Sequence, residues 1–191
     1  MSAATTSVDT DPSSGTGRAY QPLRSYAAIG DGRTVALVAR NGSIDWLCIP
    51  DLDSPSVFGA ILDSTQGGRF ELCPEIPFTV ERRYLPDTNI LETTFVTDRG
   101  RLRVIDAMTL PAGLAPGREL VRVVEGLSGL VPLRWSIEPR FGYGSSPGRL
   151  ETRLGFPVAL AGSGAIAVCS WSAGEPARNR GRVNARFEAA E

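Results

Sequence analysis

Histidine is absent from the 191 residues of this chain, and cysteine occurs only three times. Without an imidazole, the chain cannot contain a Ser-His-Asp or Cys-His catalytic group or a histidine-ligated metal site. Cys48, Cys73 and Cys169 are odd in number and lack CxxC spacing, which argues against a disulfide framework or a structural zinc site. We therefore predict three reduced, buried cysteines, and we expect no metal and no cofactor.

Long apolar runs and an excess of one charge are also missing. No stretch approaches the roughly 18 apolar residues of a membrane-spanning helix, and the N-terminus lacks the basic and apolar regions of a secretory signal. Lys and Arg number 20 against 21 Asp and Glu, a net charge of −1, so nothing attracts the chain to nucleic acid or an anionic membrane. We expect a cytoplasmic protein with neither of these partners.

The sequence does contain a series of short β patterns behind a polar tail. Residues 1–20 hold Ser, Thr, Ala, Gly and Pro with almost no large apolar side chain, which predicts a disordered tail. In residues 21–191, turn residues recur about every 8 to 12 positions, which predicts an all-β fold, an antiparallel β-sandwich, rather than βαβ units. The predicted strands are 33–40, 43–49, 69–73, 78–84, 90–97, 101–109, 119–127, 131–138, 157–161, 164–171 and 182–188.

Three turns are expected to connect neighbouring strands. Asn41-Gly42 predicts a hairpin with a type I′ turn, because both residues tolerate positive φ. Asp98-Arg99-Gly100 predicts a second hairpin, and Ser128-Gly129 a third. Residues 119–125 carry apolar side chains at both alternating sets of positions, which predicts burial on both faces.

One short helix is predicted at residues 55–62. Ser54 is the expected N-cap and Pro55 fits the first helical position. Four apolar residues form one face, and these are Val57, Phe58, Ile61 and Leu62.

Asp45 and Trp46 are the first candidate site residues. One interpretation places Trp46 against a sugar, whose apolar face stacks on an aromatic ring. The other, which we favour, makes Trp46 a core residue and Asp45 a hydrogen-bond acceptor at a turn or strand edge.

A second group of candidates lies in turns. Asp53 and Ser54 share a turn with Asp51. One interpretation places the turn at the rim of an active site or at a docking surface. The other is that these side chains bond their own backbone, as an Asx turn and an N-cap. Two carboxylates on a loop are too few oxygen ligands for Ca²⁺. Tyr143, in Phe-Gly-Tyr-Gly, either forms a sugar-binding surface or ends a strand and packs across a turn.

Two sets of charged residues are weaker candidates for a functional site. Five arginines, at positions 82, 83, 99, 101 and 103, form a basic cluster without interleaved aromatics, which indicates a solvated sheet face rather than a nucleic-acid site. Glu92 and Glu138 are the strand glutamates to consider as a carboxylate pair, although no sequence feature places them together.

Four segments, taken in order, carry a resemblance to a known family. They are IGDGRTVALVARNGSIDWLCIP (29–50), DLDSPSVFGAILDSTQGGRFELCP (51–74), RRYLPDTNILETTFVTDRGRLRVIDAM (82–108) and RELVRVVEGLSGLVPLRWSIEPRFGYG (118–144). These segments resemble the N-terminal domain of the bacterial glucoamylase- and trehalase-like enzymes of glycoside hydrolase family 15. Leu52 departs from the family pattern, which usually has an aromatic residue there, and Gly142 stands where the family commonly has Asp.

The resemblance implies a modular enzyme, with an N-terminal β-sandwich of the super-β-sandwich type, a linker helix and an (α/α)₆ barrel. Such enzymes cleave α-glucosidic bonds with inversion, using two barrel glutamates as general acid and base. No residue of this chain aligns with either glutamate, so no catalytic residue is expected here. We expect residues 21–191 to be the N-terminal domain without its barrel.

The expected role of such a domain is to support the folding and the active-site entrance of the barrel. The barrel, in cis or from a split gene, is the expected partner, together with glucose-containing saccharides such as trehalose or maltodextrin. The alternative is a stand-alone carbohydrate-binding or regulatory module, in which Trp46, Tyr143 and Trp171 are the candidate contacts.

Overall fold

The computed structural model describes residues 20–110, 117–162, 164–179 and 181–191. The tail predicted at 1–20 lies outside the described residues, apart from Tyr20. The described residues form fourteen strands and one 3₁₀ turn, Leu23–Ser25. The strands are β1 (Ala27–Gly30), β2 (Val35–Val38), β3 (Ser43–Cys48), β4 (Ser56–Phe58), β5 (Arg69–Pro74), β6 (Phe78–Tyr84), β7 (Leu91–Thr97), β8 (Gly100–Met108), β9 (Leu120–Glu138), β10 (Arg149–Arg153), β11 (Phe156–Ala161), β12 (Gly164–Ala167), β13 (Ala177–Asn179) and β14 (Arg182–Ala190).

The 19-residue strand β9 joins the two halves of the fold. Its first half pairs with β8, which continues through β7 to β6. Its second half lies between β5 and β14, and β5 continues through β3 and β2 to β1. Every pairing in the described residues is antiparallel, and β10, β11 and β12 form a separate small sheet.

The sheet curls so that strand β6 crosses strands β1 and β2. Arg82 of β6 donates hydrogen bonds to the carbonyls of Val38 and Ser25, and the Tyr84 hydroxyl bonds the backbone of Ala28. Apolar residues from both layers fill the space between them, including Ile44, Leu72, Phe95, Leu102 and Val104. The predicted antiparallel β-sandwich is therefore confirmed.

The helix predicted at 55–62 is wrong, because Ser56–Phe58 forms strand β4. This strand pairs with β3 and all three of its residues are buried. The Ser54 hydroxyl accepts a hydrogen bond from the backbone of Asp51 behind it, so it caps no helix. A short apolar run does not distinguish a helix from a buried strand. Here the segment forms a strand because it pairs with the end of β3, where β5 does not reach.

The Asn41-Gly42 hairpin is confirmed, but its turn type is not. The Gly42 N–H donates to the Ala39 carbonyl and the Ala39 N–H to that of Ser43, so four residues form the turn. Of the predicted pair, only Gly42 has positive φ, at 84°. The Asn41 side chain instead accepts hydrogen bonds from Ser43. The hairpin predicted at Asp98-Arg99-Gly100 also forms, but its turn is Asp98-Arg99 alone, because Gly100 already pairs with Thr97.

The hairpin predicted at Ser128-Gly129 is wrong, since β9 runs through it. Gly129 lies opposite Gly100, with a register shift close by. A Cβ on Gly129 would lie 2.2 Å from the Arg99 carbonyl oxygen, and one on Gly100 would lie 2.2 Å from that of Ser128. The glycine therefore permits close strand approach and a bulge rather than a turn.

Two predictions about burial also fail in part. Cys48 and Cys73 are buried, and burial raises the pKa of both thiols, but Cys169 is exposed. In the first half of β9, Val121 and Val123 are 36% and 50% exposed. That segment is covered on one face only, so its second apolar set faces outward.

Candidate functional site

Asp45 is a buried hydrogen-bond acceptor that lies within β3, rather than at the turn or strand edge that we favoured. It lies on β3 with 2% of its surface exposed. The Tyr26 hydroxyl donates a 2.7 Å hydrogen bond to Oδ2, and Arg69 Nε lies 3.7 Å from Oδ1. Burial, and then the hydrogen bond to the Asp45 carboxylate, raise the pKa of Tyr26. The tyrosine therefore stays protonated and keeps donating to Asp45.

Asp45 begins a row of alternating charges across four strands. Arg69 on β5 lies opposite Glu138 on β9, and the neighbouring registers place Asp45 and Arg182 at the two ends. Glu138 forms ion pairs with Arg182 and, at 2.7 Å, with Arg140. Asp45, Arg69 and Glu138 are each at most 8% exposed. Each buried carboxylate is thus matched by a guanidinium, as burial of charge requires.

A small polar cleft opens beside this row of charges. It measures about 10 Å³, room for about one water molecule. Asp45 does not line it, so the carboxylate has no contact with the cleft. The lining residues are Ser64, Thr65, Gly68, Arg69, Glu71, Ser136, Glu138 and Arg182.

Trp46 and Tyr143 are candidates that the fold brings together. Their ring centroids lie 6.1 Å apart with the planes tilted by 36°. Trp46 is half-buried on β3 and does not belong to the buried core, contrary to the interpretation we favoured, and Tyr143 is 55% exposed. We call this pair the aromatic platform. Trp171, the third aromatic candidate, is 79% exposed, and within the described contacts no aromatic ring joins it.

Asp53 and Ser54 lie in a local turn, away from the charged row. The Ser54 N–H donates to the Asp51 carbonyl, and the Asp51 N–H donates to Ser54 Oγ, each at 3.1 Å. Asp51 also pairs with Arg33 at 2.6 Å, while Asp53 is exposed. The side chain of Ser54 therefore bonds the local backbone, as one of the two interpretations predicted.

Asp31 and Arg118 form a buried ion pair that we did not predict from the sequence. Arg118 Nε lies 3.3 Å from Oδ2, with the carboxylate fully buried. Asp31 Oδ1 accepts hydrogen bonds from the N–H groups of Arg33 and Thr34. Burial acts to raise the pKa of Asp31, but these N–H groups and the Arg118 charge outweigh it and lower the pKa. The Gly-Asp-Gly sequence at 30–32 signals a turn with a backbone-bonded Asp31, but it does not indicate Arg118 as its partner.

The other charged candidates are ion-paired on separate strands. Glu92 binds Arg83 at 2.8 Å and Arg103 at 3.1 Å, whereas the arginine partners of Glu138 are different residues. Four arginines of the basic cluster are accounted for: Arg83 and Arg103 by Glu92, Arg101 by Glu81 at 3.8 Å, and Arg82 by backbone carbonyls.

Metal-ligand clusters and membrane-spanning helices are both absent from the described residues. Among residues 20–110, 117–162, 164–179 and 181–191, no three His, Cys, Asp or Glu side chains cluster closely enough to hold a metal ion. In the same ranges, no helix has the length and hydropathy needed to cross a membrane.

A family model described as "Trehalase-like, N-terminal" matches residues 15–168. That match covers more than three quarters of the sequence. The chain belongs to this family. The trehalase-like N-terminal domain thus includes strands β1 to β12, with the charged row from Asp45 to Glu138 and both residues of the aromatic platform.

Curated relatives of this trehalase-like N-terminal domain are named trehalases. It is 39% identical over 141 residues to the trehalase of Mycobacterium tuberculosis, covering 65% of this chain and 21% of that protein. It is 36% identical over 137 residues to the trehalase of Thermoplasma volcanium, covering 69% and 22%. Trehalase 1 of Sulfolobus acidocaldarius is 43% identical over 123 residues, with 64% and 20% covered. The chain thus spans about a fifth of these relatives' length. No solved structure gives a significant match.

Proposed function

We propose that this chain is the non-catalytic N-terminal domain of an inverting α-glucosidase of the trehalase and glucoamylase type, in glycoside hydrolase family 15. Its role is to support the folding and the active-site entrance of an (α/α)₆ barrel. The observation that carries the proposal is the family match over residues 15–168, together with relatives that are named trehalases.

The state of the buried carboxylates supports a non-catalytic role. Inverting glycosidases need one carboxyl group that gives a proton and a second that activates water. Here Asp31, Asp45, Glu92, Asp106 and Glu138 are buried and each faces an arginine. Carboxylates that are held in ion pairs with guanidinium groups stabilise the fold and are not suited to proton transfer.

An apolar corner of the sheet supports docking of a further domain. Ile105 lies opposite Val123, and Ala107 opposite Val121, so their side chains share the outer face of β8 and β9. Within the described residues, β9 pairs with β8 alone over 120–125, which leaves its other edge open. Exposed β-branched residues on an open edge are typical of a surface that a partner covers.

The course of β14 supports the proposal that this corner faces a further domain. Ala190 lies opposite Leu130 of β9, so the final strand runs towards the open edge. A domain joined to the end of β14 would begin next to Leu130, on the edge of β9 that leads to Val123 and Val121. We therefore assign the apolar corner (Ile105, Ala107, Val121 and Val123) to contact with the barrel.

A binding experiment tests this assignment. The chain is mixed with Mycobacterium tuberculosis trehalase shortened by its own matching region, and complex formation is followed by size-exclusion chromatography. The proposal predicts a complex that Val121→Lys/Val123→Lys weakens and that Leu154→Lys leaves intact. Leu154 is a matched control because it is apolar, 97% exposed and outside the corner. Equal binding by both variants would contradict the assignment.

A further inference from the structure

The backbone of Tyr143 is held in a conformation that tyrosine rarely adopts. Its φ is 61°, in the left-handed region that favours glycine. The residue nevertheless remains 55% exposed, so burial of the side chain does not account for the conformation. Strain of this kind persists where the surrounding structure imposes it, and it concentrates at binding sites.

Ser56 imposes the conformation from strand β4. The Tyr143 N–H donates a 2.8 Å hydrogen bond to Ser56 Oγ, and the Gly142 N–H donates a 2.9 Å bond to the Ser56 carbonyl. The turn is closed by two backbone hydrogen bonds between Phe141 and Ser146. Since Ser56 is fully buried, the turn is anchored to the core, and the backbone from which the Tyr143 ring projects is set before any ligand arrives.

The Tyr143 ring lies against Trp46, and the two rings form the aromatic platform. Their centroids are 6.1 Å apart with the planes tilted by 36°, and Tyr143 is the more exposed of the two residues. Two exposed neutral residues lie beside the same turn: Ser145, which belongs to it, and Gln66, whose backbone lies against Gly144. Hydroxyl and amide groups of this kind can hydrogen-bond a ligand that stacks on the rings.

We propose that the aromatic platform binds the pyranose ring of a glucose-containing saccharide. The C–H face of a pyranose is apolar and stacks on an aromatic ring, while its hydroxyl groups remain free to bond water and neutral polar side chains. The inference rests on the proposed function, because membership in a family with trehalase relatives makes a glucose saccharide the relevant ligand. The site is separate from the buried charged row, and it is built from β3, β4 and the turn after β9.

Fluorine NMR of the full chain labelled with fluorotryptophan tests the proposal. Trp46, Trp135 and Trp171 give three signals, which single Trp→Phe variants assign. Trehalose and maltotriose are titrated to millimolar concentration, with the open-chain polyol mannitol as the control ligand. The proposal predicts a saturable shift of the Trp46 signal with both saccharides, and none with mannitol.

Tyr143→Gly separates a binding role from a structural one. Glycine adopts a φ of 61° without strain, so the fold is retained while the ring is lost. We expect saccharide affinity to fall about tenfold or more, with the Trp135 signal unchanged as proof of folding. Trp171→Phe, which removes an exposed ring elsewhere, is expected to bind like the natural chain.

Three results would overturn the proposal: no shift of Trp46, a shift equal to that with mannitol, or undiminished affinity in Tyr143→Gly. A Trp46 signal that ignores saccharides but moves when shortened trehalase is added would reassign the platform to protein contact. Saccharide binding is measured on the isolated chain and complex formation on the mixture, so failure of one is distinguishable from failure of the other.

Discussion

Arg122 on β9 binds Asp106 on β8 through two hydrogen bonds, of 2.7 and 3.1 Å. The two side chains are 4% and 0% exposed. The same guanidinium donates to the Gly42 carbonyl in the β2–β3 hairpin and lies 4.8 Å from the centroid of the Phe70 ring. One cation therefore connects both layers of the sandwich.

Replacing Arg122 is expected to be costly. Arg122→Met leaves Asp106 buried and unpaired, which costs about 3–5 kcal/mol of unfolding free energy. The matched control is Arg186→Met, which removes a 2.8 Å pair with Glu75 whose arginine is 78% exposed. Exposed pairs contribute about 0–1 kcal/mol. Urea unfolding measures both, and equal losses would contradict the role given to Arg122.

Two glycines of the same backbone conformation separate strain from steric clash. Gly42 and Gly32 have φ of 84° and 85°. A Cβ on Gly42 would lie 2.1 Å from the Leu72 carbonyl oxygen, whereas one on Gly32 would have nothing within 4 Å. Gly32→Ala should cost about 1–2 kcal/mol, the left-handed penalty alone. Gly42→Ala should lower the free energy of unfolding by about 1–3 kcal/mol more than that. Denaturation midpoints of the two variants measure the difference. Similar midpoints would show that the hairpin relaxes around the methyl group.

Asp31 should make stability sensitive to acid. Its pKa is lower in the folded chain than in the unfolded one, so the unfolded state binds the proton first as pH falls. The stabilisation is complete above the unfolded pKa of about 3.9 and is lost as pH drops through the folded value. Asp31→Asn should therefore lose less stability than the natural chain between about pH 6 and pH 3.

The control for this pH series is Asp98→Asn, an exposed carboxylate in the β7–β8 loop. It should keep the acid dependence of the natural chain. Denaturant midpoints at each pH supply the comparison. If Asp31→Asn loses stability with acid as steeply as the control, the Arg118 pair does not hold the carboxylate ionised in the way described.

Local signals predicted the parts of the fold that local chemistry determines. The hairpins at 41–42 and 98–99 follow from turn residues, and β8 follows from its alternating pattern. Strand β4 was missed because three residues show no periodicity and the pairing partner, β3, decides their conformation. The hairpin predicted at Ser128-Gly129 was wrong for a related reason. Gly129 permits close contact with Gly100, which is distant in sequence, and does not form a turn.

For the candidate site, too, the residues were predictable from the sequence, whereas their arrangement in space was not. Asp45, Trp46 and Tyr143 were recognisable by residue type, and the turn at Ser54 by its local bonding. Their arrangement was not predictable, because the contact between Trp46 and Tyr143 depends on how Ser56 positions a distant turn. The Asp45–Arg69 and Asp31–Arg118 pairs likewise depend on strand register and loop placement, which no local pattern encodes.

Glucose release from trehalose tests most directly whether this domain supports a barrel without catalysing the reaction itself. Three samples are compared: this chain, the shortened Mycobacterium tuberculosis trehalase, and their mixture, with the intact trehalase as reference. We expect no glucose from this chain alone, and more from the mixture than from the shortened enzyme. Hydrolysis of trehalose by the purified chain alone would contradict this expectation, because the chemistry would then belong to this β-sandwich.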